Sequence, residues 1–473
     1  MLSKNRENSF AHSLAKFAVT SRFTKTSKAT QIRMAWCLAD FIACTIAATQ
    51  FQEAKSTLKL SNRGSVKLPG LTNWSFTQES AALVMGTVGS LLQLHDGYGH
   101  GGNHPSSVLV PTLIAMRGSL SLGSIKALSK LAAGYEICNR LSRLTHPSQS
   151  FSGSAPTGTM GAIGAAVTAS LCMELEQKEI EEAISIAAFL APISTYEALK
   201  VRGSAVPFHS GIAARTGVEA AKLAKTGLSG GKSVLEGRVS SPGLLDLLTG
   251  SKKLNRKSGG SSSNKLHNII SAKGFNSIKQ VFFKPFPGCR HIQPAVEALL
   301  NATGGRKIEA NKISKINILT YPLAISFAKP PKPNNELYDR LMSIPWGIAA
   351  TLDRGKPDIN YLKSPTSTYP EELYQKIHVS LSPTHAKSYP SCLGASAHIT
   401  LKDRTKLFGE VSLEYGKPQH HSYYTPPGGY ITPLKPLNMR TRFLELTTPA
   451  IGSKAANSLL RTLDPDKTLI NKP

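Results

Sequence analysis

The stretch "LHDGYGHGGNHPSS", Leu94 to Ser107, places three histidines, one aspartate and four glycines between two apolar runs. Histidine and aspartate are suitable metal ligands, but His95, His100 and His104 lack the i, i+4 spacing of a helical zinc motif. The stretch also lacks the "GK[ST]" ending of a phosphate-binding loop. A glycine-rich turn whose "HPSS" begins the next helix is the structural alternative. Taken alone, the stretch leaves a metal site and a structural turn open.

The net charge points to anionic partners without choosing one. The 473 residues carry a formal charge of +27, from 56 Lys and Arg against 29 Asp and Glu. A field of this sign attracts nucleic acid, anionic lipid or polycarboxylates. The sequence has no RNA-binding motif, no zinc-finger spacing and no aromatic ladder among its basic residues. Net charge is therefore the only feature of the sequence that supports a nucleic-acid partner. We therefore expect no nucleic-acid partner.

Cysteine usage and apolar patterning bear on location. The six cysteines are scattered without a C-x-x-C pair, which is typical of a reducing compartment. The run "AWCLADFIACTIAA" is short and contains Asp40, so it predicts a core helix and no membrane span. The first 33 residues hold seven Lys or Arg and one acid, as a mitochondrial presequence would, yet "FAHSLAKFAV" has the pattern of a first core helix. We expect the cytoplasm, with mitochondria as the alternative.

Helical periodicity runs through the first 250 residues, which we predict to be all-helical. Predicted helices cover Thr30 to about Gln50, 78–94, 107–117, 123–144, 157–173, 177–190 and 211–225. The following stretch "GSKKLNRKSGGSSSNK", 250–265, combines Ser, Gly and basic residues without one acid. This composition predicts a flexible surface loop.

Short β-branched stretches follow this loop and indicate a second domain. Predicted strands cover 312–321, 376–382, 396–403 and 406–416, with helices at 290–303 and 343–353 and a return to helix near the C-terminus. The last two strands should pair as a hairpin. We therefore predict a mainly α protein, with a helical domain over 1–269, an α+β lid domain over 270–417, and a C-terminal segment, 418–473, that returns to the helical domain.

Six blocks of the sequence together resemble the MmgE/PrpD family, the 2-methylcitrate dehydratases and cis-aconitate decarboxylases. They are "LHDGYGHGGNHPSSVLVPTLIAM", "LAAGYEICNRL", "APTGTMGAIGAAVTAS", "VPFHSGIAARTGVEAAKLA", "FFKPFPGCRHIQPAVEAL" and "SIPWGIAATLDRGKPD". Their order and separations agree from about residue 10 to 450. The resemblance implies a helical domain and a smaller lid, a homodimer, a site in the cleft between the domains, and no metal or organic cofactor. It also implies a small polycarboxylate substrate that loses water or carbon dioxide.

The resemblance assigns catalytic roles to Asp96, His104 and Lys284. A histidine exchanges a proton near neutral pH, and an aspartate beside it fixes its tautomer or holds a substrate hydroxyl. The lysine of the "KPFPGC" motif binds a carboxylate or shares in proton transfer, although a solvated lysine on a turn is the commoner case. The neighbouring Phe282 and Phe283 favour a partly buried ammonium here.

Five further residues are candidates for substrate binding: Thr157, His209, Arg290, His291 and Trp346. Arg290 suits a carboxylate, which it can hold bidentately. His291 fits two roles equally well, binding of a carboxylate and capping of the helix that follows. Trp346 stands where some decarboxylases carry a tyrosine, and a core tryptophan is the alternative.

Two positions depart from the family pattern. Ala155 stands where relatives carry a histidine thought to be catalytic, and Val206 stands where many carry a lysine or arginine, with Arg202 as a possible substitute. Relatives also often have two acids where this chain has His95 and Asp96. We therefore expect a less cationic, roomier cleft. One hypothesis is that an alkyl-bearing citrate analogue, of the kind found in secondary metabolism, occupies this space. The competing hypothesis is a non-catalytic relative that binds an anion or partner protein. Of the two reactions we expect dehydration first and decarboxylation second.

Overall fold

The computed structural model describes residues 9–60, 62–238, 240–250, 261–332, 336–363, 371–414 and 438–469. The predicted fold class is confirmed, because most of the described chain is helical and the largest sheet has four strands. The middle of the predicted flexible loop, 251–260, lies outside the described residues. Its last residues, 261–265, belong to a helix and not to the loop.

The helices are α1 (Phe10–Thr20), α2 (Lys28–Ala48), α3 (Gln52–Leu58), α4 (Gln78–Ser90), α5 (Ser106–Met116), α6 (Ile125–Thr145), α7 (Ser148–Phe151), α8 (Pro156–Cys172), α9 (Gln177–Leu190), α10 (Tyr196–Lys200), α11 (Phe208–Lys225), α12 (Leu244–Thr249), α13 (Ser261–Ile270), α14 (Gln293–Thr303), α15 (Leu337–Leu341), α16 (Ile344–Arg354), α17 (Ile359–Lys363), α18 (Glu371–Lys376), α19 (Pro383–Ser388), α20 (Met439–Ile451), α21 (Ser453–Leu463) and α22 (Pro465–Thr468). The strands are β1 (Val66–Leu68), β2 (Leu71–Phe76), β3 (Gly97–Tyr98), β4 (Gly237–Arg238), β5 (Ser241–Pro242), β6 (Val281–Phe282), β7 (Ile313–Thr320), β8 (Ile377–Leu381), β9 (Cys392–Leu401) and β10 (Lys406–Glu414). Short 3-10 helices lie at Phe23–Lys25, Gly99–Gly101, Ile278–Gln280, Arg290–Ile292, Ala310–Lys312 and Pro322–Phe327.

The helical part is built around long helices that bury most of their surface. α8 packs against α6, α9 and α11, and α4 packs against α5 and α11. Every residue of α2 from Met34 to Ala48 is buried, and the later helix α20 packs against it. By length and composition α2 could cross a membrane, but 83% of its most apolar window is buried inside the protein.

The predicted helices of this part agree with the structure apart from their ends. The helix predicted at 78–94 stops at Ser90, because Gln93 adopts a left-handed φ of 49°. The prediction that the first 250 residues are all-helical is wrong in detail. β1 and β2 form an antiparallel hairpin that turns through Gly70, which has a φ of 76°, and β4 and β5 form a second small pair.

The second domain contains a four-stranded sheet in the order β10-β9-β7-β8. The predicted hairpin is confirmed, since β9 and β10 pair antiparallel, with Lys406 opposite Thr400. β7 pairs antiparallel with β9 and parallel with β8. α14 packs on this sheet, and the apolar residues beneath it form a second core, which includes Ile316, Ile318 and Ile399. The described part of β10 ends at Glu414, so the last two residues of the predicted strand lie outside the described range.

A test of the helix packing is Gly134→Ala in α6. A Cβ at Gly134 would lie 2.1 Å from Thr168 Oγ1 and 2.8 Å from the Gly164 carbonyl oxygen of α8. We expect overpacking to exceed the gain in helix propensity and to lower the free energy of unfolding by about 1–2 kcal/mol. Urea unfolding followed by circular dichroism measures this. Gly203→Ala is the control, because its Cβ would come no closer than 3.5 Å to any atom; equal losses in both variants would contradict the packing argument.

Candidate active site

A cleft with about 860 Å³ of empty space, including its open mouth, lies between the helical part and the second domain. The helical part contributes residues from three segments, 93–104, 146–157 and 196–209, and the second domain contributes residues from 282–291, 323, 338 and 389–393. Five of the eight predicted site residues line this cleft: His104, Thr157, His209, Arg290 and His291. The structure therefore brings together side chains that are up to 187 positions apart in the predicted set, from His104 to His291.

The segment that begins with His95 crosses the floor of the cleft as an irregular loop. β3 of this loop pairs with β6, with Gly97 opposite Phe282. Glycine is required at position 97, because a Cβ there would lie 2.5 Å from the Phe282 ring and 3.1 Å from His104 Nδ1. Tyr98 N donates to the Asn103 carbonyl at 2.8 Å and closes the loop below His104.

His104 is held in one orientation and one tautomer. Its Nδ1 lies 2.7 Å from the Asp96 carbonyl oxygen, which can only accept a hydrogen bond, so Nδ1 carries the proton. Its backbone N donates to Thr157 Oγ1 at 3.1 Å, and the His95 ring packs edge-on at 4.9 Å. Loss of solvent and the nearby Lys284 charge lower the pKa of His104 well below its usual value. At neutral pH, Nε2 is therefore an unprotonated base.

Asp96 supports His104 from behind and is not among the residues that line the cleft. Its carboxylate is 1% exposed, with Oδ1 accepting from Ser106 N at 3.1 Å and Oδ2 accepting from Tyr135 OH at 3.0 Å. The first of these bonds satisfies the N-terminus of α5. Burial raises the pKa of Asp96 to about 6. The backbone of Asp96, and not its carboxylate, contacts the His104 ring.

Lys284 and Trp346 also lie outside the cleft lining. Lys284 is completely buried and its Nζ donates to the Gln93 carbonyl oxygen at 2.6 Å. Burial lowers the pKa of this ammonium to about 8. Trp346 is completely buried in α16, with its ring 5.8 Å from that of Tyr361. The roles in catalysis and substrate binding stay predictions for all eight residues, and Asp96, Lys284 and Trp346 do not line the cleft.

Arg290 and His291 enter the cleft from a 3-10 turn before α14. The Arg290 guanidinium lies over the Phe282 ring, with its carbon 4.5 Å from the ring centroid. His291 Nδ1 lies 2.7 Å from Tyr321 OH, and its ring stacks on Phe327. Loss of solvent lowers the pKa of His291 to about 3. His291 is therefore part of the cleft wall and not merely a helix cap.

The cleft has one permanent positive charge among its described lining residues, that of Arg290. Five histidines also line it, and the pKa of each is lowered, mainly because the protein displaces solvent: His95, His104, His146, His209 and His291. No Asp, Glu or Lys is among these lining residues. The arrangement can hold a carboxylate at Arg290 and accept a proton at a neutral imidazole.

Sequence analysis missed several lining residues, including His146, Tyr196, Tyr338 and Tyr389. His146 follows α6, and its Nδ1 lies 3.2 Å from Ser150 Oγ. Its "HP" dipeptide repeats the one at His104 and was the available signal. The tyrosines carry no comparable motif, because their positions depend on how the second domain meets the helical part.

Both departures from the family pattern lie on the cleft wall, since Ala155 and Val206 line it. Arg202 does not replace the missing basic residue. Its guanidinium is buried, pairs with Asp339 at 3.0 Å, and donates to the Lys329 carbonyl oxygen at 2.6 Å. Among the described residues, no three His, Cys, Asp or Glu side chains are grouped to hold a metal ion.

Two family models match this chain and cover most of it. The MmgE/PrpD N-terminal domain matches residues 12–257, and the MmgE/PrpD C-terminal domain matches residues 286–422. The chain belongs to the MmgE/PrpD family. Cis-aconitate decarboxylase of Homo sapiens is 30% identical over 161 residues, which is 33% of this chain and 33% of the relative. Cis-aconitate decarboxylase of Mus musculus is 25% identical over 349 residues, 71% of this chain and 67% of the relative. This MmgE/PrpD protein is therefore similar to lyases over most of its length.

A test of the His104 geometry is Gly97→Ala. The new Cβ would lie 2.5 Å from the Phe282 ring, which must shift, and 3.1 Å from His104 Nδ1, which must move slightly away, so we expect the Nδ1 hydrogen bond to Asp96 to lengthen. The measurement is the histidine ring signals of isotope-labelled protein in NMR spectra. Gly158→Ala in α8 is the control, because its Cβ would meet nothing closer than 3.4 Å. Unchanged His104 signals in Gly97→Ala would refute this account of the loop.

Proposed function

We propose that this MmgE/PrpD protein is a cofactor-independent lyase that removes water from a small polycarboxylate of the 2-methylcitrate or alkylcitrate type. The observation that carries the proposal is the tautomer of His104. Its Nδ1 proton is committed to the Asp96 carbonyl oxygen, which leaves Nε2 as the proton acceptor in a cleft that also contains Arg290. Removal of a proton beside a carboxylate needs this combination of a base and a cation.

In the proposed reaction Arg290 holds one carboxylate of the substrate. His104 Nε2 accepts the proton from the carbon next to a carboxylate, and the electron pair of that C–H bond forms the new double bond. The hydroxyl on the adjacent carbon leaves with the electron pair of its C–O bond and takes up the proton that His104 Nε2 has accepted, so that water forms and His104 returns to its neutral form. His209 is our candidate for the residue that binds this hydroxyl. It lines the cleft, and its Nδ1 has no hydrogen-bond partner within the described residues.

The apolar part of the wall supports an alkyl-bearing substrate. Val206 and Ala155 stand where relatives have ionisable side chains, and Leu199, Leu323 and Leu393 also line the cleft. An alkyl group placed there would leave water at a gain of about 25 cal/mol per Å² of buried apolar surface. A substrate with one carboxylate at Arg290 and an alkyl group at this wall fits both features. A homodimer and a cytoplasmic location remain parts of the proposal that rest on the family resemblance and composition.

Decarboxylation is the second candidate reaction, favoured by the similarity of this chain to two cis-aconitate decarboxylases. Here the carbon–carbon bond to a carboxylate breaks, carbon dioxide leaves, and the carbon that keeps the electron pair takes up a proton. His104 would have to be protonated to supply it, and its lowered pKa makes that form scarce at neutral pH. A non-catalytic anion-binding protein is the third alternative, and it is favoured by Ala155 at a position where relatives carry a histidine.

The deciding experiment incubates the purified protein with 2-methylcitrate, longer 2-alkylcitrates and cis-aconitate. We expect an unsaturated product from the citrates, faster turnover for the longer alkyl groups, and no release of carbon dioxide. His104→Gln should lower kcat by about 10²-fold or more, since general-base catalysis contributes 10²–10⁴-fold. If no compound reacts and all bind equally to wild type and His104→Gln, the non-catalytic alternative holds. Release of carbon dioxide from cis-aconitate would instead support decarboxylation.

The pH dependence of kcat/KM should report the lowered pKa of His104. As a base, His104 works when neutral, so activity is present above its folded-state pKa and is lost as the pH falls through that value. Because the pKa lies well below 6.5, we expect the acid limb of the profile below pH 6.5. Initial rates between pH 4.5 and 8 measure this, within the range where circular dichroism shows a folded protein. An acid limb centred above pH 6.5 would exclude His104 as the base.

A further inference from the structure

The backbone of the segment 92–96 is held by groups from distant parts of the chain. The Leu92 carbonyl oxygen accepts from Gly288 N at 3.2 Å, and the Gln93 carbonyl oxygen accepts from Lys284 Nζ at 2.6 Å. The Leu94 carbonyl oxygen accepts from Arg442 Nη2 at 3.2 Å. These bonds hold Gln93 in the left-handed conformation that ends α4 early, at a φ that non-glycine residues seldom adopt.

Arg442 connects this segment to the Lys284 turn. Its side chain lies in α20 and is 4% exposed. Nη1 donates to the Lys284 carbonyl oxygen at 2.8 Å, and Nε donates to Asp40 Oδ1 at 2.5 Å. One guanidinium thus joins α2, the 92–96 segment and the Lys284 turn. The ammonium group of a lysine lacks the planar fork of N–H donors that makes these bonds simultaneously.

We propose that Arg442 is a positioning residue for the candidate active site, which it controls by fixing the 92–96 segment and the Lys284 turn against each other. His104 contacts this segment through two consecutive residues, the ring of His95 and the carbonyl oxygen of Asp96. Movement at Leu94 therefore reaches the His104 ring through the adjoining backbone. Arg442 does not line the cleft and has no direct contact with the substrate in the proposed reaction.

The electrostatic environment of His104 gives this role a measurable signature. Burial is the main cause of the lowered pKa of His104. The charged and titratable groups around its ring are Lys284, His209, His291 and the neighbouring His95, besides its hydrogen bond to Asp96. The Lys284 charge disfavours protonation of His104, and Arg442 holds the backbone of that lysine. If the buried ion pair between Arg442 and Asp40 stabilised only the core, substitution of Arg442 would leave the pKa of His104 unchanged.

The test compares Arg442→Lys with Arg440→Lys. Arg440 lies on the same helix, but it pairs with Asp464 and Asp466 in the C-terminal helices. Because burial still disfavours the charged ring and only the weaker Lys284 contribution changes, we expect Arg442→Lys to raise the pKa of His104 measurably in NMR titrations while leaving it below its ordinary value. We expect Arg440→Lys to leave it unchanged. The activity measurement rests on the proposed function: kcat should fall at least about tenfold in Arg442→Lys, with a smaller change in KM.

A double variant covers the case in which Arg442→Lys does not fold. Asp40→Asn with Arg442→Gln removes both buried charges together and should give the same change in the His104 titration. An unchanged His104 titration in either folded variant overturns the proposal, and so does failure of both variants to fold, since Arg442 would then serve the core alone. These outcomes concern the NMR titration and are distinct from an inactive wild-type protein, which would contradict the proposed lyase function instead.

Discussion

The hydrogen bond from His104 Nδ1 to the Asp96 carbonyl oxygen determines what the cleft can do. A backbone carbonyl oxygen can only accept a hydrogen bond, so the proton of the neutral His104 ring stays on Nδ1, the nitrogen that faces Asp96. A carboxylate in the same place would favour the protonated imidazole. Here the carboxylate of Asp96 is directed instead to Ser106 and Tyr135, and the imidazole stays neutral. The backbone of Asp96 thus sets the tautomer of His104, and its carboxylate accepts a hydrogen bond at the start of α5.

The other residues that line the cleft carry little charge. The net charge of +27 does not appear at its wall, where Arg290 is the one permanent cation among the described lining residues. The positive field of the whole molecule can still guide an anion towards the opening. Recognition inside then depends on one guanidinium, on neutral ring nitrogens and hydroxyls, and on apolar side chains. The charge of the whole molecule would thus attract an anion from a distance, and the residues that line the cleft would select among the anions that enter.

Local patterns predicted the helices and the β9–β10 hairpin, and the family resemblance indicated five of the residues that line the cleft. Apolar spacing finds α9 and α11 because each of these helices buries one face and leaves the other more exposed. The place of Lys284 was not predictable in this way. Aromatic neighbours correctly indicated burial, but the acceptor of its ammonium is a carbonyl oxygen 191 positions earlier in the chain. Likewise, the spacing around Arg202 gives no sign of Asp339, whose side chain occupies that guanidinium. Tertiary contacts of this kind leave no periodic trace in the sequence.

The ion pair between Asp40 and Arg442 spans 402 positions of the chain. During synthesis the ribosome adds Asp40 long before Arg442, so the growing chain must carry the buried helix α2 without its partner for most of translation. The hydrogen bond from Arg442 to the Leu94 carbonyl oxygen can form only after α20 has been synthesised. A nascent chain that ends before α20 therefore lacks one of the groups that hold the backbone beside His104.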